Sequence, residues 1–187
     1  MSSDLESNTD NFIENTLSSH FIYDGQLLKV YRDEVRLPNG YVGSREIVRH
    51  PGACAIIPVF EDGDTILLKQ YRYAPAKLFW EVPAGKIDAN EGLQETARRE
   101  LLEETGYVAQ TLLKIGHFYP CIGFSDEIIH VFLATELTYS KQGTDEDEFV
   151  EVVRLPGTKA LSMLDDGAIE DGKTLICLQM ARSFLLK

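Results

Sequence analysis

The chain has 187 residues, of which 44% are hydrophobic and 26% charged, and this composition is typical of one globular domain with a substantial core. Its 30 acidic and 18 basic residues give a net charge of −12, which argues against a nucleic-acid-binding surface. No segment approaches the roughly 20 apolar residues of a membrane span, and the N terminus lacks the basic start of a signal peptide. Three widely spaced cysteines predict free thiols in a reducing, cytoplasmic protein.

The N-terminal part of the sequence predicts a polar arm followed by strands. Residues 1–20 are rich in Ser, Asn, Asp and Glu, and we expect a flexible arm with at most a short helical turn. Residues 21–50 favour an antiparallel β meander that reverses at Pro38-Asn39-Gly40. A meander this short buries little apolar surface by itself. We therefore expect it to pack on the main domain or, more favourably, on a second subunit in a homodimer.

Residues 51–187 show the pattern of a main α/β domain. The apolar run Ala53–Phe60 predicts a strand that is covered on both faces. A helix is expected up to Gly106, with Asn90 as its N-cap and Gly106 as its left-handed end. Further strands are expected at 65–71, 78–82, 108–115, 128–138 and 149–155, helices at 159–164 and 173–186, and a solvated acidic loop at 144–148. Strands on both sides of a central helix predict an α/β/α sandwich with a mixed sheet.

Three glutamates lie within one arc of the predicted central helix. At about 100° per residue, Glu100, Glu103 and Glu104 fall within roughly 100° of one another. Like charges this close repel each other unless a cation lies among them, and oxygen-only ligands suit Mg²⁺ or Mn²⁺. A solvated acidic helix face is the alternative. The flanking glycines and Arg99, which can tether one carboxylate, favour the metal site.

The stretch from Gly85 to Tyr107 resembles the signature of the Nudix hydrolases, G-x5-E-x7-R-E-U-x-E-E-x-G-U, where U is bulky and apolar. Every fixed position matches, and only Tyr107 is a loose fit. The matching residues are Gly85, Glu91, Arg99, Glu100, Leu101, Glu103, Glu104 and Gly106. The resemblance implies a Nudix-type α/β/α sandwich and a hydrolase that uses Mg²⁺, with Mn²⁺ as a substitute. Its substrate would be a nucleoside diphosphate linked to another group.

The resemblance also implies roles within this stretch. The Ala84 carbonyl, Glu100 and Glu104 are expected to bind the metal, with Glu103 as a shared or second-metal ligand. Gly85 would let the backbone approach metal and substrate closely, although an ordinary loop glycine is the alternative. Structural roles are expected for Glu91, Arg99 and Gly106, and Glu91 also suits the positive end of a helix.

The segment His117–Glu127 resembles the ADP-ribose pyrophosphatase branch of the family, which has a proline-containing loop with a glutamate beyond it. Here Pro120 and Glu127 take these positions. Hydrolysis of a diphosphate needs a group that activates or positions water. Glu127 is expected to be that base or a further metal ligand, and Glu103 is the competing candidate. The alternative is that Asp126 and Glu127 are solvated turn acids.

Three segments ahead of the central helix also resemble this branch, namely those around Arg72, Glu81 and Arg45-Glu46. Arg72 is expected to bind a phosphate in a bidentate manner, with a surface arginine as the alternative. Glu81 is expected either to bind a ribose hydroxyl or to tie down Arg72. Arg45 and Glu46 resemble part of the N-terminal segment from which dimers of this branch contact the nucleobase, across the subunit boundary. They are therefore expected to bind the substrate.

Together these features predict a pyrophosphatase that hydrolyses ADP-ribose to AMP and ribose 5-phosphate. The nearest alternative is a hydrolase of other nucleoside diphosphate sugars, such as GDP-mannose. A nucleoside triphosphatase is disfavoured because it does not call for the N-terminal extension or the Pro120 loop. A different class is a Nudix-fold module that senses ADP-ribose without cutting it, and the complete set of glutamates argues against that.

Overall fold

The computed structural model describes residues 9–140 and 149–186 of the chain. The predicted acidic loop at 144–148 and residues 1–8 of the predicted arm lie outside the described residues. The chain divides into two compact units. The first comprises the chain up to His50 together with Cys121–Glu127, and the second comprises Pro51–Pro120 and the chain from Ile128 onwards. Within the described ranges, no helix is long and apolar enough to cross a membrane.

The first unit contains a three-stranded sheet in the order β1-β2-β3. Its elements are a short 3-10 helix (Thr9–Phe12), β1 (Asn15–Asp24), β2 (Lys29–Arg36) and β3 (Val42–Arg49). Both pairings are antiparallel, and this confirms the predicted N-terminal sheet. The expectation of an arm up to residue 20 is wrong from Asn15 onwards. There the polar residues pair across the sheet, with the Ser18 hydroxyl donating to Glu34 at 3.1 Å and the Ser19 hydroxyl to Asp33 at 2.5 Å.

In its described residues, the second unit has two sheets and three helices. Its strands are β4 (Ala53–Pro58), β5 (Asp64–Arg72), β6 (Lys77–Glu81), β7 (Ala84–Lys86), β8 (Tyr107–Phe118), β9 (Ile129–Tyr139) and β10 (Val150–Pro156), and its helices are α1 (Leu93–Thr105), α2 (Gly157–Asp165) and α3 (Gly172–Leu185). The four-stranded sheet has the order β7-β4-β9-β8, and the smaller one the order β10-β5-β6. Only the β4–β9 pairing is parallel among the described strands, so the larger sheet is mixed.

Strand β4 forms the centre of the second unit because all six of its residues are buried. Side chains alternate between the two faces of a strand. Cys54 and Ile56 pack with Ala97 and Leu101 of α1. The intervening residues of β4 pack with α2 and α3, in a cluster that includes Ala160, Leu178, Ala181 and Leu185. The larger sheet therefore has helices on both faces, which confirms the predicted α/β/α class.

The three cysteines are free, as predicted. Cys54 and Cys177 are fully buried, whereas Cys121 is half-buried. Burial raises the pKa of Cys54 to about 11 and that of Cys177 to about 12. Both thiols are therefore protonated at neutral pH, and a thiol is a poor nucleophile and metal ligand.

Candidate active site

Helix α1, which contains the glutamate cluster, begins later than the sequence suggests. Asn90 does not cap it, because Asn90 has a left-handed backbone (φ 69°) that asparagine tolerates in loops. Gly92 takes the N-cap position, and its N–H donates to the Glu95 carboxylate at 2.8 Å. At the other end Gly106 has φ 74°. The predicted left-handed helix end is therefore confirmed.

Two nearly buried glutamates of α1 contact strand β7. Glu100 is 9% exposed and Glu104 is 5% exposed. The backbone N–H of Ala84 donates to Oε2 of Glu104 at 2.8 Å. A Cβ atom on Gly85 would lie 2.0 Å from the carboxylate carbon of Glu100, so any side chain there would displace this carboxylate. Gly85 is therefore more than an ordinary loop glycine, and β7 brings its backbone against both carboxylates.

Arg99 contacts several carboxylates, whereas the sequence suggested one. Its Nε and Nη2 donate to the two oxygens of Glu91, each at 2.9 Å. Its Nη1 donates to Glu100 at 2.7 Å and to Glu103 at 3.0 Å. The hydrogen bond with Glu91 is the main cause that raises the pKa of Arg99. This guanidinium therefore neutralises part of the negative charge on the helix face.

Glu91 lies in the loop before α1 and not in the first helical turn. Besides Arg99, it accepts a hydrogen bond from the Thr96 hydroxyl at 2.7 Å. The Arg99 hydrogen bonds are the largest cause that lowers the pKa of Glu91, to about 2. Glu91 is thus ionised at neutral pH and forms an ion pair with Arg99. This ion pair, and not a contact with the helix dipole, is its main interaction.

Arg72 and Glu81 form a bidentate ion pair at the ends of β5 and β6. Nε and Nη2 of Arg72 donate to the two oxygens of Glu81 at 2.7 and 2.6 Å. The Glu81 side chain is only 3% exposed. Burial alone would raise the pKa of Glu81, but Arg72 and Lys173 outweigh it and hold this pKa below its ordinary value. Of the two contacts expected for Glu81, this geometry shows the one with Arg72.

Sequence reasoning missed Lys173, at the start of α3. Its Nζ forms ion pairs with Glu81 and, at 2.9 Å, with Asp171. One signal was present, because a lysine in the first turn of a helix opposes the helix dipole. Such a placement indicates an acidic partner elsewhere in the fold. The partner, Glu81, is 92 residues away in sequence, which explains why no local pattern identified it.

Arg45, Glu46 and Glu127 belong to the first unit. Arg45 and Glu46 are exposed on β3, and Arg45 forms an ion pair with Glu14. Nδ1 of His50 lies 3.6 Å from Oε1 of Glu127. The metal-ligand candidates, Arg72 and Glu81 belong to the second unit.

The end of the loop that contains Glu127 is held to β3 within the first unit. The N–H of Val48 donates to the Phe124 carbonyl at 2.7 Å. Asp126 accepts hydrogen bonds from the His50 N–H at 2.8 Å and from Nη1 of Arg49 at 3.0 Å. Partial burial raises the pKa of Asp126, but these donors outweigh it and lower the pKa. Asp126 is therefore a tethered side chain and not a free turn acid.

The chain also matches two family models. Residues 48–176 match the NUDIX domain, and residues 14–48 match the nucleoside diphosphate sugar hydrolase N-terminal domain. The chain is a member of the Nudix family. The resemblance seen in the signature stretch is thereby confirmed, as is the branch that the N-terminal segment suggested.

Relatives cover most of this Nudix chain. An ADP-ribose pyrophosphatase of Bacillus subtilis is 44% identical over 89% of this chain and 91% of its own. A methanol dehydrogenase activator of Bacillus methanolicus is 41% identical over 90% and 92%, and a GDP-mannose pyrophosphatase of Yersinia enterocolitica is 38% identical over 72% and 74%. A crystal structure of an ADP compounds hydrolase superposes with a TM-score of 0.80, covers 92% of this chain and 94% of the other, and is 23% identical. That structure shares the fold.

The Nudix signature residues fit a divalent cation by their chemistry. The carboxylates of α1 and the Ala84 carbonyl are all oxygen donors, which Mg²⁺ and Mn²⁺ prefer. Gly85 leaves the space beside β7 in which the Glu100 carboxylate lies. Among the described His, Cys, Asp and Glu residues, no three are already arranged as metal ligands. Arg99 donates hydrogen bonds to Glu100 and Glu103, and the Ala84 N–H donates to Glu104.

Proposed function

We propose that this chain is a cytoplasmic, metal-dependent pyrophosphatase that hydrolyses ADP-ribose to AMP and ribose 5-phosphate. The observation that supports this most strongly is the 44% identity to the Bacillus subtilis ADP-ribose pyrophosphatase along nearly the whole of both chains. A complete set of signature glutamates supports hydrolysis over simple binding. Free thiols support a reducing compartment.

The signature residues would hold Mg²⁺, or Mn²⁺ in its place, through the Ala84 carbonyl, Glu100 and Glu104, with Glu103 at a shared or second ion. The ions would neutralise negative charge on the diphosphate. This matters because the chain itself has a net charge of −12 and repels a phosphorylated substrate at long range.

The protein side chains would perform the remaining chemistry. Arg72 would bind a phosphate oxygen with the part of its guanidinium that Glu81 does not engage. Arg45 and Glu46 would contact the nucleobase. A water molecule would lose a proton to Glu127, or to Glu103 as the competing base, while its oxygen forms a bond to phosphorus. The phosphoanhydride bond breaks in the same reaction, and the departing phosphate takes the bonding electrons.

A substrate panel tests this function directly. We expect the highest kcat/KM with ADP-ribose when ADP-ribose, GDP-mannose, UDP-glucose and a nucleoside triphosphate are assayed with Mg²⁺, and no turnover with EDTA. Chromatography should show AMP and ribose 5-phosphate. Hydrolysis of the triphosphate alone would contradict the proposal. Running the reaction in H₂¹⁸O identifies the phosphorus that is attacked.

GDP-mannose is the second candidate substrate, because the Yersinia enterocolitica relative is a GDP-mannose pyrophosphatase. A higher kcat/KM with GDP-mannose than with ADP-ribose would favour it. Tight binding of ADP-ribose without release of AMP would instead identify a sensing module.

We propose that the first unit pairs with a second copy of this chain. Its strands and the segments between them expose a group of apolar side chains, Leu17, Phe21, Ile22, Tyr23, Leu27, Leu28, Tyr41 and Val42. Monomeric proteins seldom leave so much apolar surface in contact with water. A second copy of the chain fits as the partner, because the same apolar group on both chains makes a self-complementary interface.

A single charge in this apolar group should separate the subunits. We expect the intact chain to sediment as a dimer at micromolar concentration and Ile22→Glu to sediment as a monomer, since the interface would bury an unpaired carboxylate. Val152→Glu places the same charge on an exposed apolar residue of β10 and should remain dimeric. A monomeric intact chain would contradict the dimer.

A further inference from the structure

The first turn of α3 is tied together by Asp171, its N-cap residue. The Asp171 carboxylate accepts hydrogen bonds from the Thr174 N–H at 3.0 Å, the Thr174 hydroxyl at 2.6 Å and Nζ of Lys173 at 2.9 Å. Thr174 is fully buried. This turn is therefore a rigid group with satisfied polar atoms.

The same turn also holds the end of strand β6. The N–H of Val82 donates to the Thr174 hydroxyl at 2.9 Å, and Lys173 forms an ion pair with Glu81. Glu81 in turn binds Arg72 through two hydrogen bonds. A continuous series of contacts thus runs from α3 through Lys173 and Glu81 to the Arg72 guanidinium.

The burial of Glu81 makes its second cation important. A carboxylate with 3% exposure needs charged partners, because burying it alone is costly. With Arg72 alone, the buried Glu81 carboxylate would have a single charged partner. Lys173 supplies a second cation to Glu81, and because Asp171 neutralises that added charge, Lys173 contributes by holding the Glu81 carboxylate in place and not by a net positive charge. Arg72 and Lys173 both line a cavity of about 380 Å³, together with Phe79.

The bidentate geometry also fixes the orientation of Arg72. Glu81 takes up Nε and Nη2, and Nη1 has no hydrogen-bond acceptor in the part of the chain that the structure describes. A guanidinium held along one edge presents its other edge in one orientation, which reduces the entropy lost when an anion binds.

We propose that Lys173 is a positioning residue for substrate binding, which acts through Glu81 to hold Arg72 ready for a phosphate of the diphosphate. This inference rests on the proposed function, because it takes the ligand to be ADP-ribose. In this proposal Lys173 stays paired with Glu81 and Asp171 and does not contact the substrate. Its effect therefore depends on Arg72, and this dependence distinguishes it from a second phosphate ligand.

The test measures ADP-ribose binding by calorimetry in EDTA, where turnover is absent. We expect Lys173→Met to raise Kd by about tenfold and Lys173→Arg to stay within about threefold of the intact chain. In steady-state assays with Mg²⁺, Lys173→Met should raise KM similarly and leave kcat within about threefold. Lys159→Met removes the same charge from an exposed position on α2 and should change neither constant.

A double-mutant cycle decides between positioning and direct contact. If Lys173 acts through Arg72, Arg72→Met combined with Lys173→Met should bind ADP-ribose no more weakly than Arg72→Met alone. Additive losses would overturn the inference, and so would an unchanged Kd for Lys173→Met. Failure of the intact chain to bind or cleave ADP-ribose would overturn the proposed function as well, whereas the other two outcomes would leave it standing.

A second pair of variants, built on Glu81→Gln, tests the inference if Lys173→Met alone does not fold. Glu81→Gln removes the buried carboxylate charge and should by itself raise the Kd for ADP-ribose about tenfold, because Arg72 loses its charged partner. Adding Lys173→Met to Glu81→Gln should have no further effect. A further loss of about tenfold would show that Lys173 binds the ligand itself and would overturn the inference.

Discussion

Glu104→Gln is expected to lower kcat by roughly 10²–10³-fold while the chain stays folded. Glu104 is 5% exposed and accepts a hydrogen bond from the Ala84 N–H. A glutamine oxygen can keep that hydrogen bond, so the contact between α1 and β7 should survive. What the substitution removes is one negative oxygen donor for the cation. The measurement is kcat for ADP-ribose over a range of Mg²⁺ concentrations.

Glu104→Gln should not lower the thermal stability of the chain, although it lowers kcat. Glu100, Glu103 and Glu104 repel one another, and Arg99 bonds directly to the first two. Removing one charge from this cluster relieves repulsion, so the Tm of Glu104→Gln without metal should equal or exceed that of the intact chain. Glu61→Gln, on an exposed turn, is the control and should leave kcat unchanged. Full activity of Glu104→Gln would contradict the metal assignment.

Glu127→Gln is expected to lower kcat by roughly 10²–10⁴-fold, the range for loss of a general base. The competing base, Glu103, is engaged by Arg99 at 3.0 Å and would have to leave this ion pair to meet a water molecule. Among the described ion pairs, Glu127 takes part only in the one with His50, at 3.6 Å. We therefore expect Glu103→Gln to lower kcat less than Glu127→Gln does.

The comparison of the two variants identifies the base. Rapid-quench measurement of a single turnover separates the chemical step from product release, and Glu151→Gln on the exposed face of β10 serves as the control for loss of one negative charge. A larger loss for Glu103→Gln would place the base inside the signature. If both variants keep kcat within about threefold of the intact chain, neither residue is the general base.

Elements whose signals are local could be predicted from the sequence alone. Six consecutive buried residues in β4 follow from an apolar run, and the left-handed end of α1 follows from Gly106. The helical spacing of Glu100, Glu103 and Glu104 is enough to place three carboxylates on one face of α1. These inferences succeed because each depends on the period of a single element or on the conformation of one residue.

Other features of α1 depended on the residues around it. Asn90 looked like an N-cap, yet the helix begins at Leu93 because Asn90 adopts a left-handed turn and Glu91 is held by Arg99. Similarly, the polar residues from Asn15 suggested a loose arm, but they pair with β2. In both cases a contact with another element, Arg99 on α1 or the neighbouring strand β2, overrode the local preference.

The packing of separate elements establishes which charged residues meet. Glu81 and Lys173 are 92 residues apart. They come together because α3 packs on the four-stranded sheet, and β7 of that sheet directly follows β6 in the chain. The close approach of Gly85 to Glu100 has the same origin, since it requires α1 to lie against β7. The order of residues in a chain specifies spacing along one element. The pairing of buried charges depends on how separate elements pack, and no periodic pattern in the sequence records it.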